Sequence, residues 1–146
     1  MTRGMNSIVY KSGVRQTIRA WIVTLYNGSD MEFFTWDSMP KEQLNEFIGR
    51  KIISGEKAMV AQVFIAKGGV VPEHHHEAEQ ITYIMEGALQ FHIEGKDLVV
   101  GPGQVLLIPS NVPHSAVALE DTLDLDIFSP IRHDWLNKTD DYLRKK

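Results

Sequence analysis

The sequence contains no cysteine. That absence excludes a disulfide scaffold, a thiolate zinc site and cysteine nucleophile chemistry. Long apolar runs are missing as well. The longest near the start, Ala20 to Leu25, is interrupted by Thr24 and falls far short of the roughly 20 residues that span a bilayer. Arg15 and Arg19 precede it, but the run ends in Tyr26 without the small residues of a signal-peptide cleavage site. The reading is therefore a soluble, cytoplasmic protein with no membrane partner. Excess positive charge is also lacking: 15 basic against 19 acidic residues give a net charge of −4 and a pI near 5.8, so no basic field favours nucleic acid. No helical pattern is long enough for a strand–helix–strand crossover, which argues against a parallel α/β sheet. What remains is 146 residues, 43% hydrophobic, enough for one domain with one core. It also holds six histidines, three of them contiguous at 74–76.

Residues 1–30 differ from the rest, with Arg3, Lys11, Arg15 and Arg19 against Asp30 as the only acid. They read either as a dispensable extension or as an added strand over 17–26, rich in β-branched and aromatic residues and closed by the Asn27-Gly28 turn signal. A strand without a partner in its own domain would pair with another subunit's sheet edge. Residues 31–138 form the main domain, and 139–146 end in Arg144-Lys145-Lys146 as a basic, solvated tail. One short helix is expected after residue 38, with Ser38 as cap, Pro40 in the first turn, Leu44, Phe47 and Ile48 on one face and Gly49 as the stop. Beyond it, strands are expected at 51–54, 59–66, 80–85, 89–94, 97–100, 105–108, 115–119 and 123–128. Glycine and proline punctuate the gaps. Many short strands at regular spacing indicate an all-β sandwich or barrel.

His74 and His76 lie two apart, so in extended chain they share a face with Cα atoms roughly 6.5 Å apart and can converge on one cation. His75 then points the other way and reads as an exposed neighbour. Gln80 follows His76 by four residues; in an unbroken strand it would sit roughly 13 Å away. Either Gln80 is not a ligand or the chain turns within 77–79. A further imidazole comes from His114, directly after the turn-forming run Pro109-Ser110-Asn111-Val112-Pro113. On spacing alone, a metal site and an incidental surface tract of histidines stand level.

These residues also carry a resemblance. Gly68, five residues, His74-x-His76, three residues, Gln80, six residues, Gly87 resembles the first cupin motif, with Gln80 where glutamate is usual. Gly103, five residues, Pro109-x-Asn111, two residues, His114 resembles the second, with Asn111 in place of glycine. The resemblance covers about residues 50–130. It implies a double-stranded β-helix (jelly-roll) barrel with His74, His76, Gln80 and His114 around one divalent transition metal. Three imidazoles and one oxygen suit Zn, Ni, Fe, Mn or Cu alike. With a neutral amide for a carboxylate, the ion is held less tightly but stays a stronger Lewis acid. The runs 80–87, 108–115 and 125–130, with Arg132 and Asp134-Trp135 beyond, are similar to pectin-degradation cupins of the KdgF type. That family opens ring-form 4,5-unsaturated uronates to keto acids. The resemblance implies Asp126 as acid/base group, Phe128 as a wall of the substrate pocket and a homodimer.

From the residues alone, Asp124 and Asp126 share one face of an alternating run. Alternation with Leu123 and Leu125 favours the solvent face for both; only the resemblance turns Asp126 inward. His92 alternates with Leu89, Phe91 and Ile93 and receives no role, nor does His133. Arg132 would either clamp a substrate carboxylate or pair with Asp134 on the surface. Trp21, Trp36 and Trp135 read as core or interface anchors. The leading function is a metal-dependent isomerase for a small anionic sugar acid. A quercetinase-like metal-dependent dioxygenase and a non-catalytic small-ligand barrel are the alternatives.

Overall fold

The computed structural model describes residues 31–144 and the backbone of 10–11, 21–24 and 30. The chain divides into two compact units, Met1–Pro40 and Lys41–Lys146. In the first unit, β1 (Tyr10–Lys11), β2 (Trp21–Thr24) and β3 (Asp30–Phe33) form an antiparallel sheet with β2 in the middle. The strand expected over 17–26 is thus β2 in its described part, and it pairs within its own chain. The rest of that stretch lies outside the described residues.

The second unit holds two antiparallel sheets. Six strands run in the order β11-β8-β13-β6-β5-β4 and four in the order β10-β9-β12-β7. The larger sheet comprises β4 (Glu42–Gln43), β5 (Ile48–Ser54), β6 (Met59–Ile65), β8 (Glu79–Glu86), β11 (Val105–Ile108) and β13 (Thr122–Ser129). The smaller comprises β7 (Val70–His74), β9 (Leu89–Ile93), β10 (Lys96–Val100) and β12 (His114–Ala118). Ala61, Val63 and Ile84 from one inner face meet Leu89, Phe91 and Ala116 from the other in a single core. This is the jelly-roll barrel that the resemblance implied. Gly87, which closes the first motif, has a positive φ of 80°, and a Cβ there would collide with the Asp121 carbonyl.

The short helix expected after residue 38 does not form. Trp36–Ser38 makes only a 3-10 turn, Glu42–Gln43 is strand, and Ile48 and Gly49 open β5. Ile48 pairs with Ile65 on β6. The Asn45 side chain accepts the amides of Phe47 and Ile48 at 2.8 and 2.9 Å in a tight turn. Ladder pairing along β5 outweighs the helical spacing of three apolar residues, because a helix this short gains little from propensity.

The solvated tail is also corrected. After β13 the chain forms α1 (His133–Leu136) and α2 (Asp141–Arg144), with Trp135, Asp140 and Leu143 buried. Arg50, 1% exposed, donates to Asp140 at 2.6 Å and to Glu42 at 3.1 Å. Arg144 binds the same two carboxylates at 2.8 and 2.9 Å, and Arg50 stacks on Trp135 at 4.4 Å. This network holds residues 135–144 against β4 and β5.

Candidate metal centre and its pocket

The candidate ligands gather where β7 ends and β8 and β12 begin. His74 and His114 are direct cross-strand partners on β7 and β12. His76 lies beyond the end of β7, and the chain bends at 77–78 before β8 starts at Glu79. That bend is what brings Gln80 back, and its Oε1 lies 3.1 Å from His76 Nε2. The coordinating nitrogens of His74, His76 and His114 all lie within 4.8 Å of one another.

Ring orientation fits a cation. The Nδ1 atoms of His74, His76 and His114 lie 2.9, 2.8 and 2.7 Å from the carbonyls of Pro72, Ala78 and Val112. A carbonyl only accepts, so each Nδ1 carries the proton and each Nε2 offers a lone pair. His114 Nε2 is buried without a partner. Gln80 Nε2 donates to Thr82 Oγ1 at 2.8 Å and to Asp126 Oδ1 at 3.1 Å, which aims its Oε1 at the histidines. His76 Nε2 and Gln80 Oε1 are then two acceptors face to face, an arrangement that a cation satisfies. Burial foremost, together with neighbouring cationic groups, lowers His74 to about 3 and His76 to about 4, so the rings are neutral and ready to bind. His75 is exposed. His92 is exposed too, its Nδ1 lying 2.7 Å from Asp97.

Asp126 sits one inward step from the ligands, opposite Thr82 on β8 and Ala61 on β6. Its neighbour on that face, Asp124, lies opposite Val63 and Ile84. Both are buried, at 6% and 3% exposure, so the solvent-facing reading of the pair is overturned. The alternation on β13 was legible, but the leucines at 123 and 125 occupy the outer face and the aspartates the inner one. Burial pushes Asp126 up to about 6, against hydrogen bonds from Thr82 and Gln80 and the charge of Arg132. Asp124 is raised well above the usual carboxylate range, by burial first and then by Asp126.

Phe128 is fully buried opposite Gln80 and packs edge-on to His76 at 5.7 Å. Arg132 does pair with Asp134, through Nε at 2.9 Å and Nη2 at 2.6 Å, yet it is buried rather than at the surface. Its Nη1 has no partner. Trp135 is an anchor packed on Phe128 at 4.9 Å. Tyr142, which no motif singles out, stacks on His74 at 4.3 Å and accepts from Arg132 Nη2 at 3.0 Å.

His74, Gln80, His114, Asp124, Asp126 and Arg132 line one cavity of about 40 Å³. Among the described residues, three buried side-chain atoms lack a partner: His114 Nε2, Asp124 Oδ1 and Arg132 Nη1. An orphaned buried polar group costs about 1–3 kcal/mol, so three around one cavity are atoms that a bound ion, ligand or water would satisfy.

Comparisons with known proteins agree on the family. The Cupin domain family matches residues 61–131. The pectin degradation protein KdgF of Dickeya dadantii is 35% identical over 107 residues, covering 71% of this chain and 97% of the relative. Among solved structures, KdgF from a Halomonas species superposes with a TM-score of 0.67 at 36% identity, over 70% of this chain and 98% of that one. An RmlC-like cupin from Shewanella frigidimarina gives a TM-score of 0.67 at 25% identity, over 70% and 94% of the two chains.

Proposed function

The chain belongs to the cupin family, in its KdgF-like branch, and from that premise we propose a metal-dependent isomerase that ketonises small unsaturated uronate-type sugar acids. The observation that carries this reading is the bridging role of Gln80. Its Oε1 faces the histidine nitrogens while its Nε2 holds Asp126, so an acid/base carboxyl is tied to the cation site through one amide.

The reaction conserves atoms. One proton leaves the anomeric hydroxyl, the ring C–O bond at that carbon opens, and a proton is added at C4 as C5 becomes the ketone. His74, His76, Gln80 and His114 would hold a divalent transition metal, which supplies Lewis-acid polarisation of substrate oxygens when bound. Asp126, raised to about 6, is mostly ionised at neutral pH, yet basic enough to take the first proton and return one to carbon. Thr82 donates to Asp126 and with Gln80 fixes its orientation. Arg132 Nη1 offers a free, buried N–H for the substrate carboxylate, and Phe128 walls the pocket beside His76.

A homodimer fits the outer face of the larger sheet, where Tyr83, Met85, Val105, Leu107 and Ile127 are all exposed. These positions lie on adjacent strands of one face and form an apolar surface suited to a second copy.

The test is turnover of 4,5-unsaturated galacturonate, followed by loss of the conjugated double bond and by appearance of the ketone. Asp126→Asn should lower the catalysed rate by about 10²–10⁴ with metal content unchanged. Wild-type turnover in that variant overturns the assignment.

A further inference from the structure

Two of the three orphaned atoms in the cavity have a use in the proposed reaction: His114 Nε2 toward a cation and Arg132 Nη1 toward a carboxylate. The third, Asp124 Oδ1, has none. Its row of the larger sheet places Val63 on one side and Ile84 on the other, and neither can hydrogen-bond it. Val71, Leu89, Phe91 and Ala116 line the same cavity. An aliphatic residue would pack there without loss, so the fold itself gives no reason for a carboxyl at this position.

We propose that Asp124 is a specificity-determining residue whose carboxyl hydrogen-bonds a hydroxyl of the sugar acid, at the end remote from the carboxylate held by Arg132. The ligand class is a polyhydroxylated carboxylate, as distinct from a plain unsaturated or keto acid of similar size. This rests on the uronate reading above. Burial and the neighbouring Asp126 favour the neutral acid at position 124. A neutral carboxyl both donates and accepts, and it adds no second negative charge against an anionic substrate. A site that hydrogen-bonds a substrate hydroxyl discriminates strongly against the analogue lacking it.

The experiment compares wild type, Asp124→Val and Asp124→Asn, all metal-loaded, on 4,5-unsaturated galacturonate and on its 2-deoxy and 3-deoxy forms. With Asp124→Val, KM for the parent compound should rise about tenfold at nearly constant kcat, while Tm rises because an orphaned polar group is gone. Asp124→Asn keeps a donor and an acceptor and should stay within about twofold of the wild-type KM. Wild type should disfavour one deoxy form by about tenfold or more, a comparison that needs no variant, and Asp124→Val should lose that preference. If wild type turns over the uronate but treats both deoxy forms alike, or if Asp124→Val keeps the wild-type KM, ordered water satisfies Oδ1 and this proposal falls alone. If wild type neither converts nor binds the uronate, the functional reading fails and takes this inference with it.

Discussion

Two buried polar clusters share the barrel, and they differ in how fully their members are partnered. Around Arg50, both carboxylates of Asp140 and Glu42 are bound, Arg144 closes the ring, and Trp135 stacks on the guanidinium. In the cavity beside Gln80, three buried atoms among the described residues are left open: one imidazole nitrogen, one guanidinium nitrogen and one carboxyl oxygen. The first arrangement is what folding requires of buried charge, since a desolvated ion without partners is strongly destabilising. The second withholds hydrogen bonds that a purely structural cluster would make. The contrast separates residues that hold the C-terminal segment in place from residues whose open atoms the proposed cation and sugar acid would satisfy.

The sharpest way to break the contrast is to remove one member from the satisfied cluster. Asp140→Ala leaves the buried Arg50 with the half-exposed Glu42 as its one carboxylate partner, and it should cost about 3–5 kcal/mol in denaturant unfolding. A loss below about 1 kcal/mol would place that cluster with surface ion pairs instead.

The helix expected after residue 38 and the solvated tail both give way for the same reason. Helical spacing of Leu44, Phe47 and Ile48 is local information, whereas the ladder that claims Ile48 comes from β6, 17 residues on. Likewise nothing near Asp140 in the sequence announces Arg50. The strand β7 is absent from the sequence-based expectations and contains Pro72; as the edge of the four-stranded sheet, β7 tolerates a residue that cannot donate. By contrast, eight strands were legible from their glycine and proline boundaries, whereas the histidines stood out only through the two motifs they complete, because their spacing alone fits a surface tract equally well. The shared face of Asp124 and Asp126 was legible too, but alternation has no sign: it groups residues on a face without saying which face is inside. A useful signal lay in Gln80 and Thr82, which alternate in the same way on the adjacent strand.

A smaller effect separates proton transfer from metal binding within the open cluster. Because His74 and His76 stay neutral down to about 4, protons should not displace a bound metal between pH 5 and 7. Asp126 must be ionised to accept a proton and is raised to about 6; a bound cation favours the carboxylate and moves that midpoint down. Turnover should therefore rise with pH through a midpoint at or below about 6 while metal content stays constant. Turnover and metal content falling together would assign the acid limb to the histidines.

The most direct test of the open cluster as a metal centre is elemental analysis of protein made without a histidine tag, wild type beside His114→Ala. The expected result is about one divalent transition metal per wild-type chain and none in the variant, with both proteins folded. A wild-type protein that is metal-free and cannot be loaded, or a variant that keeps the wild-type metal content, would contradict it.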